Sequence, residues 1–388
     1  MAALRPGILG AALTPVSGRL NGRLSADRTM IKKATMVAAS SGVTLAFAAL
    51  VLGVGEIAIR SVHLLRDGIP FFESVTGGRV GPITLDPELG WRATEYYEEA
   101  LVEKTQKGVP YSVRRSQKQY GFRQFGDPSS TKIKMLVIGD SFTHATAVSD
   151  DRTYHAWLSK LLNAEVFAYG AGGYGTLQEY LILDRYVDLI KPNIVLWQFC
   201  INDFINNDNE LELLSRVNNN GWQRPYWLNG TVVHLSPKKS GKELREWINR
   251  HSRFLYFIVT RIDKFRAITS DYTVETDIEA QGFAHTGFVR SVQVTDELMG
   301  RVRARVGRIP IIAFSCASVA PYSKALVQIA SHHGIEYWDD VADVVLKAGQ
   351  QGEDVLSADE HWNEYGHKLI ALQLARHLKE TALFTTSH

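Results

Sequence analysis

The chain has 388 residues, 45% hydrophobic and 22% charged, which excludes a disordered chain and supplies a sizeable core. Its 43 basic and 41 acidic residues leave a formal charge of +2. No basic block interleaved with aromatics occurs in the C-terminal two-thirds, so nucleic acid is excluded as a partner. The two cysteines, Cys200 and Cys316, lack metal-ligand spacing and end apolar runs, which reads as two buried thiols; a single bridge in an oxidising compartment is the alternative.

Residues 1–33 carry Arg5, Arg19, Arg23, Arg28, Lys32 and Lys33 against one acid, Asp27. The stretch "ATMVAASSGVTLAFAALVLGVG" that follows has 22 residues and no charge; at about 1.5 Å per residue it would cross a hydrocarbon core of roughly 30 Å. The apolar core of a cleaved signal peptide is shorter, about 7–15 residues. A single transmembrane anchor is therefore expected over 34–58, with the basic segment cytoplasmic and the remainder extracytoplasmic.

Residues 59–130 show no sustained period, and "DPSS" at Asp127–Ser130 is a turn signal closing them. They read as a lead-in packed on the domain that follows. From 131 to 388 short apolar runs alternate with amphipathic segments. "IKMLVIG", "EVFAYG", "NIVLWQFC", "RIPIIAFSC" and "IEYWDD" read as strands; "RTYHAWLSKLL", "TLQEYLILDRYVDLI", "YSKALVQIASHHG" and "EYGHKLIALQLARHLKE" read as helices. The continuous apolar strands predict a doubly wound, flavodoxin-like α/β domain with a parallel sheet covered on both faces. The rhythm lapses over about 206–300, which reads as an insertion.

In such a sheet the ligand crevice lies beyond the C-terminal ends of the strands. Ser141, Gly173 and Asn202 follow three successive predicted strands, and Asp359 with His361 precedes the last helix. A serine hydroxyl needs a base, and histidine titrates near neutrality. His361 supplies the base, and Asp359, two residues away, can hold its other ring nitrogen. An oxyanion needs aimed donors: the N–H of Ser141, the N–H of Gly173 and the Asn202 amide.

"GDSF" at Gly139–Phe142, the glycine loop at Gly170–Gly175, "IND" at Ile201–Asp203 and "DEHWNEYGH" at Asp359–His367 resemble, in order, the four blocks of the SGNH/GDSL hydrolases. The resemblance covers about Ile133–Leu378. It implies a three-layer α/β/α fold, Ser141 as nucleophile, Gly173 and Asn202 as oxyanion donors, His361 as base with Asp359 as its partner, and no metal or organic cofactor. Two departures stand out. Cys200 holds the place of the third block's usual glycine, and the acid stands two residues before His361 rather than three, position 358 being Ala. The Asp-x-His-Trp spelling resembles a branch of sugar O-acetyl esterases and acetyltransferases; failing that, the pair would be a Ser-His dyad.

The expected protein is a membrane-anchored serine esterase acting on an ester substrate, with acetylated glycan preferred. A lysophospholipase, a sugar O-acetyltransferase, or a silent carbohydrate-binding or assembly protein on the same fold are the rivals. Among the remaining polar residues, Asp203 reads as a loop brace, His367 as packing or solvent-facing, and His144 as pocket rim or exposed helix start. His332 and His333 read as a helix C-terminus. "GWQRPYWLNG" reads as an insertion's own small core rather than a sugar-stacking surface, and "NGT" at Asn229–Thr231 matches a glycosylation acceptor.

Overall fold

The computed structural model describes residues 41–65, 71–72, 82–235, 247, 251–269 and 273–385. Residues 1–33 and the first part of the expected span, 34–40, lie outside the described residues. The chain divides into two compact units, one of Met1–Gly77 with Glu246–Arg261, the other of Gly78–Arg245 with Ile262–His388.

In the first unit, helix α1 (Ser41–Leu65) has a mean hydropathy of 2.1 over its most apolar window, with none of that window buried. Val43, Leu45, Phe47 and Leu50 stand exposed along it, so it is a candidate membrane span. It runs past residue 58, where the expected span ended, because Glu56 and Arg60 pair one turn apart at 2.6 Å without interrupting it. The Glu56 carboxylate also accepts the backbone N–H groups of Arg253 and Phe254 at 3.0 and 2.9 Å. At Gly55 a Cβ would lie 2.7 Å from the Phe254 ring, so the close approach needs glycine.

The second unit holds a five-stranded parallel sheet whose strands run side by side in the order Glu336–Tyr337, Ile311–Ser315, Ile194–Phe199, Lys134–Gly139 and Glu165–Gly170. The strands are β5 (Lys134–Gly139), β6 (Glu165–Gly170), β7 (Ile194–Phe199), β10 (Ile311–Ser315) and β11 (Glu336–Tyr337). β5 shows why these runs are largely apolar: Leu136 and Ile138 enter one core, Met135 and Val137 the other. On the first face lie α4 (Thr176–Ile190), α9 (Thr286–Val306) and α10 (Tyr322–His332). On the second lie α3 (Tyr154–Leu162), α11 (Asp343–Gln350) and α12 (Glu364–Glu380). This is the expected doubly wound three-layer fold. β5 is the switch point, with β6 on one side and β7 on the other, so a crevice opens at the ends of those three strands.

Before the sheet come two antiparallel pairs, β1 (Ile83–Asp86) with β2 (Gly90–Ala93), and β3 (Glu98–Lys104) with β4 (Pro110–Ser116). Between β7 and β10 stand α5 (Ile201–Asn206), α6 (Asn209–Leu214), the hairpin of β8 (Arg224–Leu228) and β9 (Thr231–Leu235), α7 (Arg253–Thr269) and α8 (Val274–Gln281). Helix α9 begins at Thr286, inside the stretch read as inserted, and its Met299 and Val302 pack on the sheet as a crossover helix does. The β8–β9 turn is Asn229-Gly230, both at positive φ, the signature of a type I′ hairpin.

One reading is overturned. Phe199 pairs with Ser315 across β7 and β10, so Cys200 and Cys316 are the next residues in register, with Cα atoms 5.2 Å apart, and they form a disulfide. They are not two thiols.

Candidate active site

Helix α2 (Ser141–His144) starts where β5 ends, and its N-cap is Asp140, whose carboxylate accepts the Phe142 N–H at 2.9 Å. Ser141 is thus the first helical residue, and the capping duty belongs to its neighbour. The helix can begin tight against β6 because Gly170 has no side chain: a Cβ there would lie 2.4 Å from the Asp140 carbonyl.

The Ser141 hydroxyl lies 2.7 Å from His361 Nε2. On the far side of the ring, Nδ1 is 3.3 Å from the Asp359 carboxylate and 3.2 Å from its carbonyl oxygen. Only one residue separates acid and base, so the chain must double back between them, and Glu360 adopts φ +68° to do so. For a non-glycine residue that conformation costs about 1 kcal/mol or more. The turn is held by Ser357, whose hydroxyl donates to Asp359 Oδ1 at 2.5 Å and whose N–H donates to the His361 carbonyl at 2.8 Å. Phe142 packs on the imidazole with ring centroids 4.7 Å apart.

The lead-in braces this turn from outside. Ala358 donates its N–H to the Lys104 carbonyl at 2.8 Å, and Gln106 donates to Leu356 at 2.9 Å. Sequence reasoning did not connect the β3–β4 hairpin to the site, because main-chain bonds leave no residue signature.

Burial disfavours protonation of His361, but the Asp359 carboxylate, by hydrogen bond and charge, and Asp140 outweigh it, so the imidazole pKa rises above its ordinary 6.5. Asp359 is held well below the usual carboxylate range, chiefly by its hydrogen bond to His361. Two consequences of opposite sign follow. With His361 as the general base hydrolysis would need the neutral ring, so kcat/KM should rise with pH through a value above 6.5. The stabilisation from the raised pKa is fully present below the unfolded value and lost as pH rises through the folded one. Asp359→Asn removes the largest upward influence. Its acidic limb should move to lower pH while kcat falls about 10²- to 10⁴-fold, both read from a pH–rate profile.

Gly173 and Asn202 lie beyond the ends of β6 and β7, on either side of Ser141. Gly173 sits at φ +73°, where glycine is favoured. Three successive carbonyls of its loop are held from three directions. Trp91 Nε1 donates to the Gly172 oxygen at 3.2 Å, Arg224 to the Gly173 oxygen at 2.8 Å, and Asn202 Nδ2 to the Tyr174 oxygen at 3.1 Å. The first matters most for the Gly173 N–H. In a planar trans peptide the Gly172 C=O and the Gly173 N–H point in opposite directions, so fixing one aims the other. Trp91 comes from the lead-in and Arg224 from β8; neither was singled out in the sequence. Replacing Trp91 with Phe keeps an aromatic ring and removes the donor; kcat should fall about tenfold with KM little changed, in steady-state kinetics.

Behind the crevice three carboxylates, Asp140, Glu179 and Asp203, are fully buried. Burial, followed by mutual repulsion at Glu179 and Asp203, pushes their pKa values up. Asp203 accepts the Cys200 N–H at 2.7 Å, and Glu179 accepts the Trp197 indole at 2.6 Å. Asp203 is the loop brace expected.

His144 is neither rim nor exposed. It is buried against the Gln117 amide at 2.9 Å, and burial pushes its pKa down to about 3. His367 packs inside, accepting the Tyr154 N–H at 3.1 Å. Trp227 and Tyr226 are buried, as a small core requires, whereas Trp222 is 40% exposed with its ring 5.4 Å from that of Trp91.

The model of the GDSL-like lipase/acylhydrolase family matches residues 137–369, well over half of the chain, and the chain belongs to that family. It is a carboxylic ester hydrolase of the SGNH type. Among solved structures, the acetyl xylan esterase AlAXEase matches 63% of this chain and 100% of its own at 13% identity and a TM-score of 0.36. LAE5, an α/β hydrolase from the metagenome of Lake Arreo, Spain, matches 66% and 100% at 16% identity and a TM-score of 0.35. The lipase/acylhydrolase from Enterococcus faecalis matches 64% and 95% at 13% identity and a TM-score of 0.34. No curated protein sequence matches the chain.

Proposed function

We propose that the chain removes O-acetyl groups from carbohydrate outside the cytoplasm, held to the membrane by α1, with Ser141 as nucleophile. The observation that carries the chemistry is the line of contacts from Ser141 Oγ through the His361 ring to Asp359, at 2.7 and 3.3 Å. His361 takes the Ser141 proton as Oγ attacks the ester carbonyl, and the resulting imidazolium is stabilised by Asp359. The N–H groups of Ser141 and Gly173 and the Asn202 amide bind the oxyanion. His361 returns the proton to the departing sugar oxygen, leaving acetyl-Ser141. Water, deprotonated by the same ring, releases acetate.

The carbohydrate reading is supported by the partly exposed face of Trp222 near the Gly173 loop, where the Asn220 amide lies 3.4 Å from the position a Gly173 Cβ would take. An aromatic face beside amide donors suits a sugar ring better than an acyl chain. The compartment is supported by the basic residues ahead of α1 and by the Cys200–Cys316 bridge, since disulfides persist in oxidising surroundings.

The test is the full chain in mild detergent, offered acetylated xylan and lysophospholipid in parallel. Acetate release without fatty acid supports the reading. Fatty acid alone transfers the substrate to lipid, and acetate appearing on an added sugar acceptor makes the protein a transferase. For topology, a reporter fused after Leu65 should be active only outside the cytoplasm.

A further inference from the structure

The row Asp296, Gly300 and Arg303 on α9 faces the end of α10 at a spacing of one and two turns. His332 Nδ1 approaches the two Asp296 carboxylate oxygens at 2.9 and 3.1 Å, and His333 Nε2 approaches the first of them at 3.0 Å. The three ligand atoms, one from each residue, lie within 4.8 Å of one another. Neighbouring features shape the position. Gly300 sits inside a continuous 21-residue helix at a helix-propensity cost of about 1 kcal/mol relative to Ala. A Cβ there would stand 3.0 Å from His333 Cε1, so its absence seats the ring. Arg303 then ties the chain beyond: it donates to the carbonyls of His333, Gly334, Gly307 and Ile309 at 2.9–3.2 Å.

Two imidazole nitrogens and one carboxylate oxygen are a borderline donor set that suits Zn²⁺, Co²⁺ or Ni²⁺ and poorly suits Ca²⁺ or Mg²⁺. Zinc bonds of about 2.0–2.2 Å at tetrahedral angles put ligand atoms roughly 3.3 Å apart. The nitrogen–oxygen separations of 2.9–3.1 Å need open only by a few tenths of an ångström. We propose that Asp296, His332 and His333 bind one Zn²⁺-class ion, which clips α9 to the end of α10. The connection from α10 to β11 enters the sheet at its N-terminal end, opposite the strand ends that carry Ser141. The ion is therefore structural and takes no part in ester hydrolysis.

The full chain, stripped with chelator and titrated calorimetrically with Zn²⁺, should bind one equivalent. His333→Ala, His332→Ala and Asp296→Asn should each weaken it at least tenfold, and Gly300→Ala should weaken it by crowding the ring. Saturating Zn²⁺ should raise the melting temperature of the wild type by about 3 °C or more and leave that of the three ligand variants unmoved. Hydrolysis of a small aryl acetate, unchanged in all four variants, serves as the control for folding. No saturable binding, or equal affinity in wild type and ligand variants, overturns the proposal and leaves a pair of histidines hydrogen-bonded to Asp296. Loss of Zn²⁺ binding in His361→Ala alone overturns it too, by moving the ion to the ester site.

Discussion

Ser141→Ala should lower kcat on an aryl acetate by about 10⁴-fold or more while the melting temperature stays within about 1 °C of wild type. The hydroxyl is half-buried, touches His361 Nε2 at 2.7 Å, and lies 3.5 Å from Asp140 Oδ2. It is not the helix cap, so its removal leaves α2 intact. His361→Ala should cost a similar factor. The double variant should be no worse than either single one, because the proposed nucleophile and base would act as one unit. Additive losses in steady-state assays would mean that the two side chains serve separate steps and would break the account.

Removing the bridge should have the largest effect on stability. Cys200 and Cys316 close a loop with a sequence separation of 116, and such a bridge contributes about 2–5 kcal/mol by restricting the unfolded chain. For a chain of 388 residues that corresponds to a drop of roughly 2–6 °C in melting temperature. Cys200 is also the N-cap of α5, two residues before Asn202. Loss of the bridge should therefore loosen the Asn202 donor and lower kcat about tenfold. Thermal scans and kinetics of Cys200→Ser/Cys316→Ser, beside wild type with and without reductant, read both effects. An unchanged melting temperature would deny the bridge its role.

The legible part of the fold was the part whose physics repeats. β5, β6, β7 and β10 are buried on both faces, so their residues are largely apolar, with Gln198 in β7 a buried polar exception. The helices that cover them show one apolar stripe each. β3 was illegible for an equally definite reason. Along Glu98–Lys104 the half-buried positions are Glu99, Leu101 and Glu103, while Ala100 and Val102 face outward. The strand thus inverts the usual alternation, and Glu99 is satisfied by Arg115 at 2.6 Å. The same holds at the site. Ser141, His361 and Asp359, the proposed nucleophile, base and acid, stand in recognisable blocks, and the structure brings their side chains together. Trp91 and Arg224 act on carbonyl oxygens of the glycine loop, and no spacing in the chain announces a partner that is backbone. The bridge was missed because it depends on β7 lying beside β10, a matter of strand order that local pattern does not encode.

The most direct test of the central claim is labelling of the folded full chain by a fluorophosphonate, followed by peptide mapping. The account predicts one modified residue, Ser141, labelled faster as pH rises through the His361 transition and unlabelled in Ser141→Ala. A folded wild-type chain that takes no label, or takes it at another serine, would contradict it.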